Sequence, residues 1–299
     1  MIEATHLTKQ YGNANALFDV NFSIDKGEVV GFLGPNGAGK STTMNLLCGY
    51  LTPSWGQVKI AGIDMVENPL EAKRHIGYLP EIPPLYMDMT VAEQLEFACE
   101  LRGLKLKKPQ LRDYIDSLCA RTQVLDTRDR LIRNLSKGYR QRVSVTQLLV
   151  GEPEILILDE PTVGLDPRQI REFRDLLSEL SHEHTIILSS HILSEISSVC
   201  KRILVFYEGM LIADGEPQSL QEQLAGHRVL EVEISGEEAG VSALLQGIPD
   251  VLAVKPVGNG VYQVAHRMGT DIRGALYRTL RPTGYELLMM KPEEVSLES

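Results

Sequence analysis

Gly34-Pro35-Asn36-Gly37-Ala38-Gly39-Lys40-Ser41-Thr42 stands between a short apolar, β-rich run at residues 29–33 and a segment of helical character at residues 41–50. The spacing G-x-x-x-x-G-K-[ST], in the order strand, turn, helix, is a phosphate-binding arrangement. Glycines let backbone N–H groups turn inward around a triphosphate, and the start of the following helix adds partial positive charge. The nucleotide-binding set on this reading is Gly34, Asn36, Gly37, Gly39, Lys40, Ser41 and Thr42. Lys40 would reach the β- and γ-phosphates and the Ser41 hydroxyl would ligate Mg2+. A glycine-rich turn with an exposed lysine is the bland alternative, but it leaves the flanking strand and helix without a purpose.

A second buried strand is expected at residues 155–158, after Gly151-Glu152-Pro153, and it runs into Asp159 and Glu160. An aspartate ending a buried strand suits Mg2+ held through water. Glu160, one residue further, suits polarising the water that attacks a γ-phosphate, worth about 10²- to 10⁴-fold in rate. Residues 185–189 and 203–207 offer two more strands, so the core reads as α/β. Thr90 and Glu93 form a capping box ahead of Leu95, Phe97, Ala98 and Leu101, and residues 111–119 continue helically. These place an inserted helical subdomain at about residues 83–135 of a P-loop NTPase core.

After residue 226 the pattern changes. Strands at 229–234, 251–257, 261–265 and 285–290 alternate with helices at 238–245 and 271–280, with Gly258-Asn259-Gly260 as a hairpin turn. The order βαββαβ predicts a small ferredoxin-like α+β domain at 227–299, following an ATP-binding domain at 1–226. Such a unit could brace a dimer, regulate or act as a lid.

Composition narrows the setting. The 299 residues carry a net charge of −10, which disfavours a bulk electrostatic grip on nucleic acid, and no nucleic-acid partner is expected. No apolar run approaches the roughly 18 residues that cross a bilayer, so any membrane partner is expected on a separate chain. Residues 1–11 lack the basic and apolar regions of a secretory signal. Cys48, Cys99, Cys119 and Cys200 have no metal spacing and sit among apolar neighbours, as buried free thiols in a reducing compartment would. A cytoplasmic location is therefore expected.

Leu135-Ser136-Lys137-Gly138-Tyr139-Arg140-Gln141-Arg142, upstream of the acidic pair, resembles the signature of ABC-type ATPases, usually L-S-G-G-Q. Further stretches resemble that family's motifs in its order. Tyr11 is similar to the aromatic residue that stacks on adenine, and Gly77-Tyr78-Leu79-Pro80-Glu81 to the loop that reaches both Mg2+ and the membrane partner. Asp166, in Gly164-Leu165-Asp166, resembles the loop that crosses the dimer, and His191 the γ-phosphate sensor. The resemblance implies an ATPase that sandwiches two ATP molecules between head-to-tail subunits, a homodimer being expected. Ser136 and Gly138 would then contact ATP held by the partner, Glu160, His191 and Asp159 would form the catalytic set, and Ser41, Glu81 and Asp159 the Mg2+ set.

It also implies integral membrane permease subunits as partners, and a peripheral place on the inner face of the cell membrane. A groove beside Glu81, lined by Leu85, Tyr86 and Met87, would suit docking of a permease helix. Three positions depart from the usual motifs: Lys137 and Tyr139 in the signature, and Glu81 where glutamine is usual. These, with the acidic C-terminal region, resemble bacterial exporter subunits of the daunorubicin-resistance, sodium-efflux and gliding-motility kind. The alternative is a soluble ABC-type ATPase acting on ribosomes or DNA; one cassette, no sustained heptads and an acidic balance weigh against it.

Overall fold

A computed structural model describes residues 1–12, 14–220, 227–267 and 270–293. The chain forms two compact units, Met1–Gly215 and Glu216–Ser299. The first runs β1 (Ile2–Tyr11), β2 (Ala14–Ile24), β3 (Val29–Leu33), α1 (Lys40–Leu47), β4 (Trp55–Ile60), β5 (Ile63–Asp64), α2 (Pro69–Arg74) and β6 (Ile76–Leu79). It continues with α3 (Val91–Leu101), α4 (Lys108–Arg121), α5 (Lys137–Leu148), β7 (Ile155–Leu158), α6 (Pro167–Leu180), β8 (Thr185–Ser190), α7 (Leu193–Ser197), β9 (Arg202–Tyr207) and β10 (Met210–Gly215).

Two sheets share its core. A six-stranded sheet has the order β10-β9-β3-β8-β7-β6, parallel except where β10 turns back on β9. Every residue of β7 and β8 is buried, which is why Ile155–Leu158 reads as an unbroken apolar run: a parallel strand is covered on both faces. The second sheet, β2-β1-β4-β5, is antiparallel and half-exposed, but its strands alternate only in part. The sequence reading missed it, because its register shifts between β1 and β2 break the period-two pattern.

The capping box at Thr90 is present: Thr90 Oγ1 accepts from the Glu93 N–H at 3.2 Å, and the Thr90 N–H donates to Glu93 Oε2 at 2.7 Å. α5 packs on α3 and α4, so the helical layer continues past residue 135. Gln94 Nε2 donates to Gln147 Oε1 at 2.8 Å, Thr122 and Thr146 share a hydroxyl contact of 2.6 Å, and the Arg102 guanidinium donates to Ile76 O at 2.6 Å. Residues 77–79, expected in a loop, instead form most of β6, since pairing with β7 satisfies their backbone groups. Only Pro80 and Glu81 of that stretch lie beyond the strand.

The second unit runs β11 (His227–Ile234), α8 (Glu238–Gln246), β12 (Val251–Gly258), β13 (Val261–Arg267), α9 (Arg273–Leu280) and β14 (Leu287–Glu293). Its sheet order, β12-β13-β11-β14, is antiparallel throughout, the ferredoxin-like arrangement. Two of its elements start two residues later than expected. α9 starts at Arg273 because the Asp271 carboxylate accepts from the Arg273 N–H and guanidinium just outside it, contacts that hold its pKa down at about 2. β14 starts at Leu287 because the Tyr285 ring turns aside against Gly236 and Gly240.

All four cysteines are free and buried, and burial raises the Cys99 and Cys119 thiols to about 11. An aromatic disulfide reagent at about pH 8 should therefore react with four thiols in denaturant and with almost none in the native chain within minutes. Burial also lowers the pKa of His184 below its ordinary 6.5, and its Nδ1–H donates to Pro153 O at 2.8 Å. The unfolded chain takes up a proton there that the folded chain refuses, so this contribution to stability is complete above about pH 6.5 and is lost on acidification. Denaturant melts at about pH 7 and 5.5 should differ more for the wild type than for His184→Gln.

Candidate active site

Three parallel strands deliver the site. β3 leads into the glycine-rich loop, β7 ends at Asp159 and Glu160, and β8 ends at Ser190, ahead of His191. Gly39 caps α1 at φ 106°, and a Cβ there would lie 2.6 Å from Leu17 Cδ2, so packing against β2 requires glycine whatever binds in front of it. No side chain caps α1 and no acid lies in its first turn, so its N-terminal partial charge is directed at the cleft.

Lys40 is buried at 5% exposure. Its Nζ donates to Gly34 O at 2.6 Å and Pro35 O at 3.1 Å, and lies 3.6 Å from Glu160 Oε1. Ser41 Oγ donates to Asp159 Oδ1 at 3.2 Å, joining the two motifs across 118 residues. Ser189, buried in β8, holds the acidic pair from behind. Its hydroxyl donates to Asp159 Oδ1 at 2.6 Å and accepts the Glu160 N–H at 2.8 Å. The sequence reading assigned Ser189 no role, although its place just before Ser190-His191 at a strand end was a signal.

Glu160 takes a left-handed backbone, φ 46°, which aims its carboxylate into the cleft rather than along the strand. Its Oε2 is 2.9 Å from His191 Nδ1; a carboxylate only accepts, so Nδ1 carries the proton of this contact. Asn36, Gly37, Gly39, Lys40, Ser41, Thr42, Glu81, Glu160 and His191 line one cleft of about 350 Å3. The oxygen set of Ser41, Asp159 and the nearby Glu81 suits a hard divalent cation that keeps waters and phosphate oxygens as its other ligands.

Ser136, Gly138 and Asp166 are elsewhere. With Tyr139, Arg142 and Gln169 they line a separate cleft of about 570 Å3, which shares no residue with the first. Ser136 caps α5 by accepting the Tyr139 N–H at 3.4 Å, and Asp166 caps α6 by accepting the Arg168 and Gln169 N–H groups at 2.9 Å each. Lys137 turns toward its own chain. A Cβ built on Gly164, where φ is 71°, would lie 2.0 Å from its Nζ. Tyr11 lies outside both clefts' linings, half-exposed, with the Lys9 ammonium 5.3 Å from its ring centre.

A third concavity of about 480 Å3 separates β6 and α2 from the helical layer, with Tyr50, Lys73, Tyr78, Leu101 and Arg102 on its walls. Pro84 contributes to this concavity, while Tyr86 and Met87 stay exposed outside it, the Tyr86 ring packing edge-on against Phe97 at 5.5 Å.

Fold and cleft together define a P-loop ATPase cassette. The chain belongs to the ABC transporter family of ATP-binding proteins, whose pattern matches residues 17–163. It is 33% identical over 300 residues to the bacitracin transport ATP-binding protein BcrA of Bacillus licheniformis, covering 100% of this chain and 95% of that one. CbiO1 from Clostridium perfringens, part of the ABC transporter complex cbiONQ, superposes with a TM-score of 0.68 at 31% identity, over 73% of this chain and 89% of its own. The dimeric structure of MJ0796, described as a bacterial ABC transporter cassette, superposes with a TM-score of 0.66 at 25% identity, over 73% and 99%. Among the described residues, no helix is long and apolar enough to cross a membrane.

Ser189→Ala removes the donor to Asp159 and strands the Glu160 N–H, which should cost about 1–3 kcal/mol in denaturant unfolding and lower ATP turnover. Turnover and stability both at wild-type values would contradict this geometry.

Proposed function

We propose that this chain is the ATP-hydrolysing subunit of a bacterial ABC exporter, working as one half of a head-to-tail dimer. The observation that carries the reading is the separation of the two clefts. Phosphate-binding residues and signature residues, which the mechanism needs at one ATP, line different surfaces of a single chain. A second copy turned end for end would bring Ser136 and the Gly138 amide to the γ-phosphate held by the partner subunit's Lys40. The dimeric relative supports this arrangement.

In each site Lys40 and the loop amides bind the phosphates. Ser41, Asp159 and Glu81 would hold Mg2+, and Tyr11 would stack on the base. When bound, Mg2+ neutralises charge on the β- and γ-phosphate oxygens. Glu160 accepts the proton of the attacking water, His191 fixes the Glu160 carboxylate, and ADP and phosphate leave. Loss of the bridging γ-phosphate removes charge-assisted hydrogen bonds of about 1.5–3 kcal/mol each, enough to open the dimer.

Coupling runs through the groove walled by Tyr50, Tyr78, Lys73 and Arg102, which takes a short helix of a separate membrane permease. The chain is thereby held on the cytoplasmic face of the membrane. Export as the direction rests on the resemblance of its signature and C-terminal region to exporter subunits.

Glu160→Gln should bind ATP, hydrolyse it at least about a hundredfold more slowly and run as a dimer in sizing experiments with ATP. A persistent monomer would count against the sandwich. Lys40→Ala should lose ATP binding, and a Lys40→Ala/Ser136→Ala mixture should retain at most one intact site per heterodimer. Purification from detergent-solubilised membranes should bring an integral membrane protein with the chain; recovery only with ribosomes would favour the soluble alternative.

A further inference from the structure

We propose that Glu195 is a positioning residue for hydrolysis: it clips the loop carrying His191 to the segment just after Glu160. The inference rests on reading Glu160 and His191 as the catalytic pair. Glu195 lies on α7, and its Oε2 accepts two hydroxyls from outside that helix, Thr162 Oγ1 at 2.6 Å and Ser190 Oγ at 3.0 Å. Thr162 is two residues past Glu160, and Ser190 is the residue before His191. One carboxylate oxygen therefore joins both flanks of the 2.9 Å Glu160–His191 contact.

Three further features make this more than a helix cap. Ser190 Oγ also accepts the Ile192 N–H at 3.0 Å, so the chain is closed around His191 by a turn whose hydroxyl proton is committed to Glu195. Ile192, the residue at the start of α7, thus has its N–H satisfied by Ser190, and Glu195 is left to bind the two hydroxyls. Those hydroxyls belong to buried residues, Ser190 at 2% and Thr162 at 9% exposure, where a charged acceptor gives short and directional bonds. Finally, Glu160 is held at a left-handed φ of 46°, a conformation that persists only when its surroundings fix it on both sides. Ser189 fixes the side toward Asp159, and Thr162 through Glu195 fixes the other.

The test is steady-state MgATP hydrolysis by the full chain, with ATP affinity and thermal melting measured alongside. Glu195→Ala, Glu195→Gln and Thr162→Val are each made in the wild-type and His191→Ala backgrounds. Glu195→Ala should lower kcat about 10- to 100-fold, as misplacement by a fraction of an ångström does, with KM and ATP affinity within about twofold. Glu195→Gln keeps an oxygen acceptor and should restore most of the rate. In the His191→Ala background, Glu195→Ala should add less than about a twofold loss, because the contact it positions is already gone.

An equal loss in both backgrounds, or a loss confined to KM or melting temperature, overturns the proposal. If Glu195→Ala does not fold, Thr162→Val carries the same comparison, since valine keeps the branched shape without the hydroxyl. A His191→Ala chain that turns over at the wild-type rate overturns the catalytic pair itself. A slow His191→Ala chain with an additive Glu195→Ala overturns only the clip.

Discussion

Parallel hydrogen bonding of β3, β8 and β7 is the constraint on which the rest of this cassette depends. Leu33 pairs with Ser190, and Leu158 with Leu188, so three chain segments far apart in sequence leave the sheet at one edge. Parallel strands all point the same way, so the loops that leave their C-terminal ends converge on one place. The glycine-rich loop, the acidic pair and His191 are therefore neighbours without any direct sequence relation. The parallel pairing of these buried strands sets the ångström-scale spacing of the polar groups at and beyond their ends.

Those polar groups are charged and largely out of water, which by itself is unfavourable. The structure offsets the cost with hydroxyls and backbone groups more than with ion pairing. Lys40 is closer to two loop carbonyls than to Glu160, and Asp159 receives Ser41 and Ser189. Each charge is oriented and kept available to a ligand, because neither is neutralised by a bidentate partner. An uncapped α1 adds positive potential at the same point, the combination that an anionic triphosphate needs.

The helical layer is attached differently. Gln94–Gln147 and Arg102–Ile76 are polar contacts that join α3 to α5 and to β6, and Thr122–Thr146 joins the end of α4 to α5. The signature segment begins α5 and so travels with this layer, whereas the loop carrying Asp166 begins α6 on the central sheet. The two meet at Lys137 against Gly164, at Gly138 against Gln169 and at the 3.2 Å Arg142–Glu172 ion pair. The lysine at position 137 thus lies beside the loop expected to cross the dimer.

Local chemistry was enough to read the phosphate loop, the acidic strand end, the Thr90 capping box and the βαββαβ order of the C-terminal unit, since each rests on residues adjacent in sequence. The antiparallel sheet was not legible, because its bulges erase the period that would have announced it. Tertiary structure alone decided that residues 77–79 pair as a strand, that Ser189 supports both acids, and that Glu195 receives hydroxyls from two loops. It also decided that Tyr50, Lys73 and Tyr78, distant in sequence, wall one concavity with Leu101 and Arg102. A sequence determines what can form between neighbours along the chain; which distant backbone and hydroxyl groups fall within about 3 Å of a carboxylate is set by sheet order, and that exists only in the folded chain.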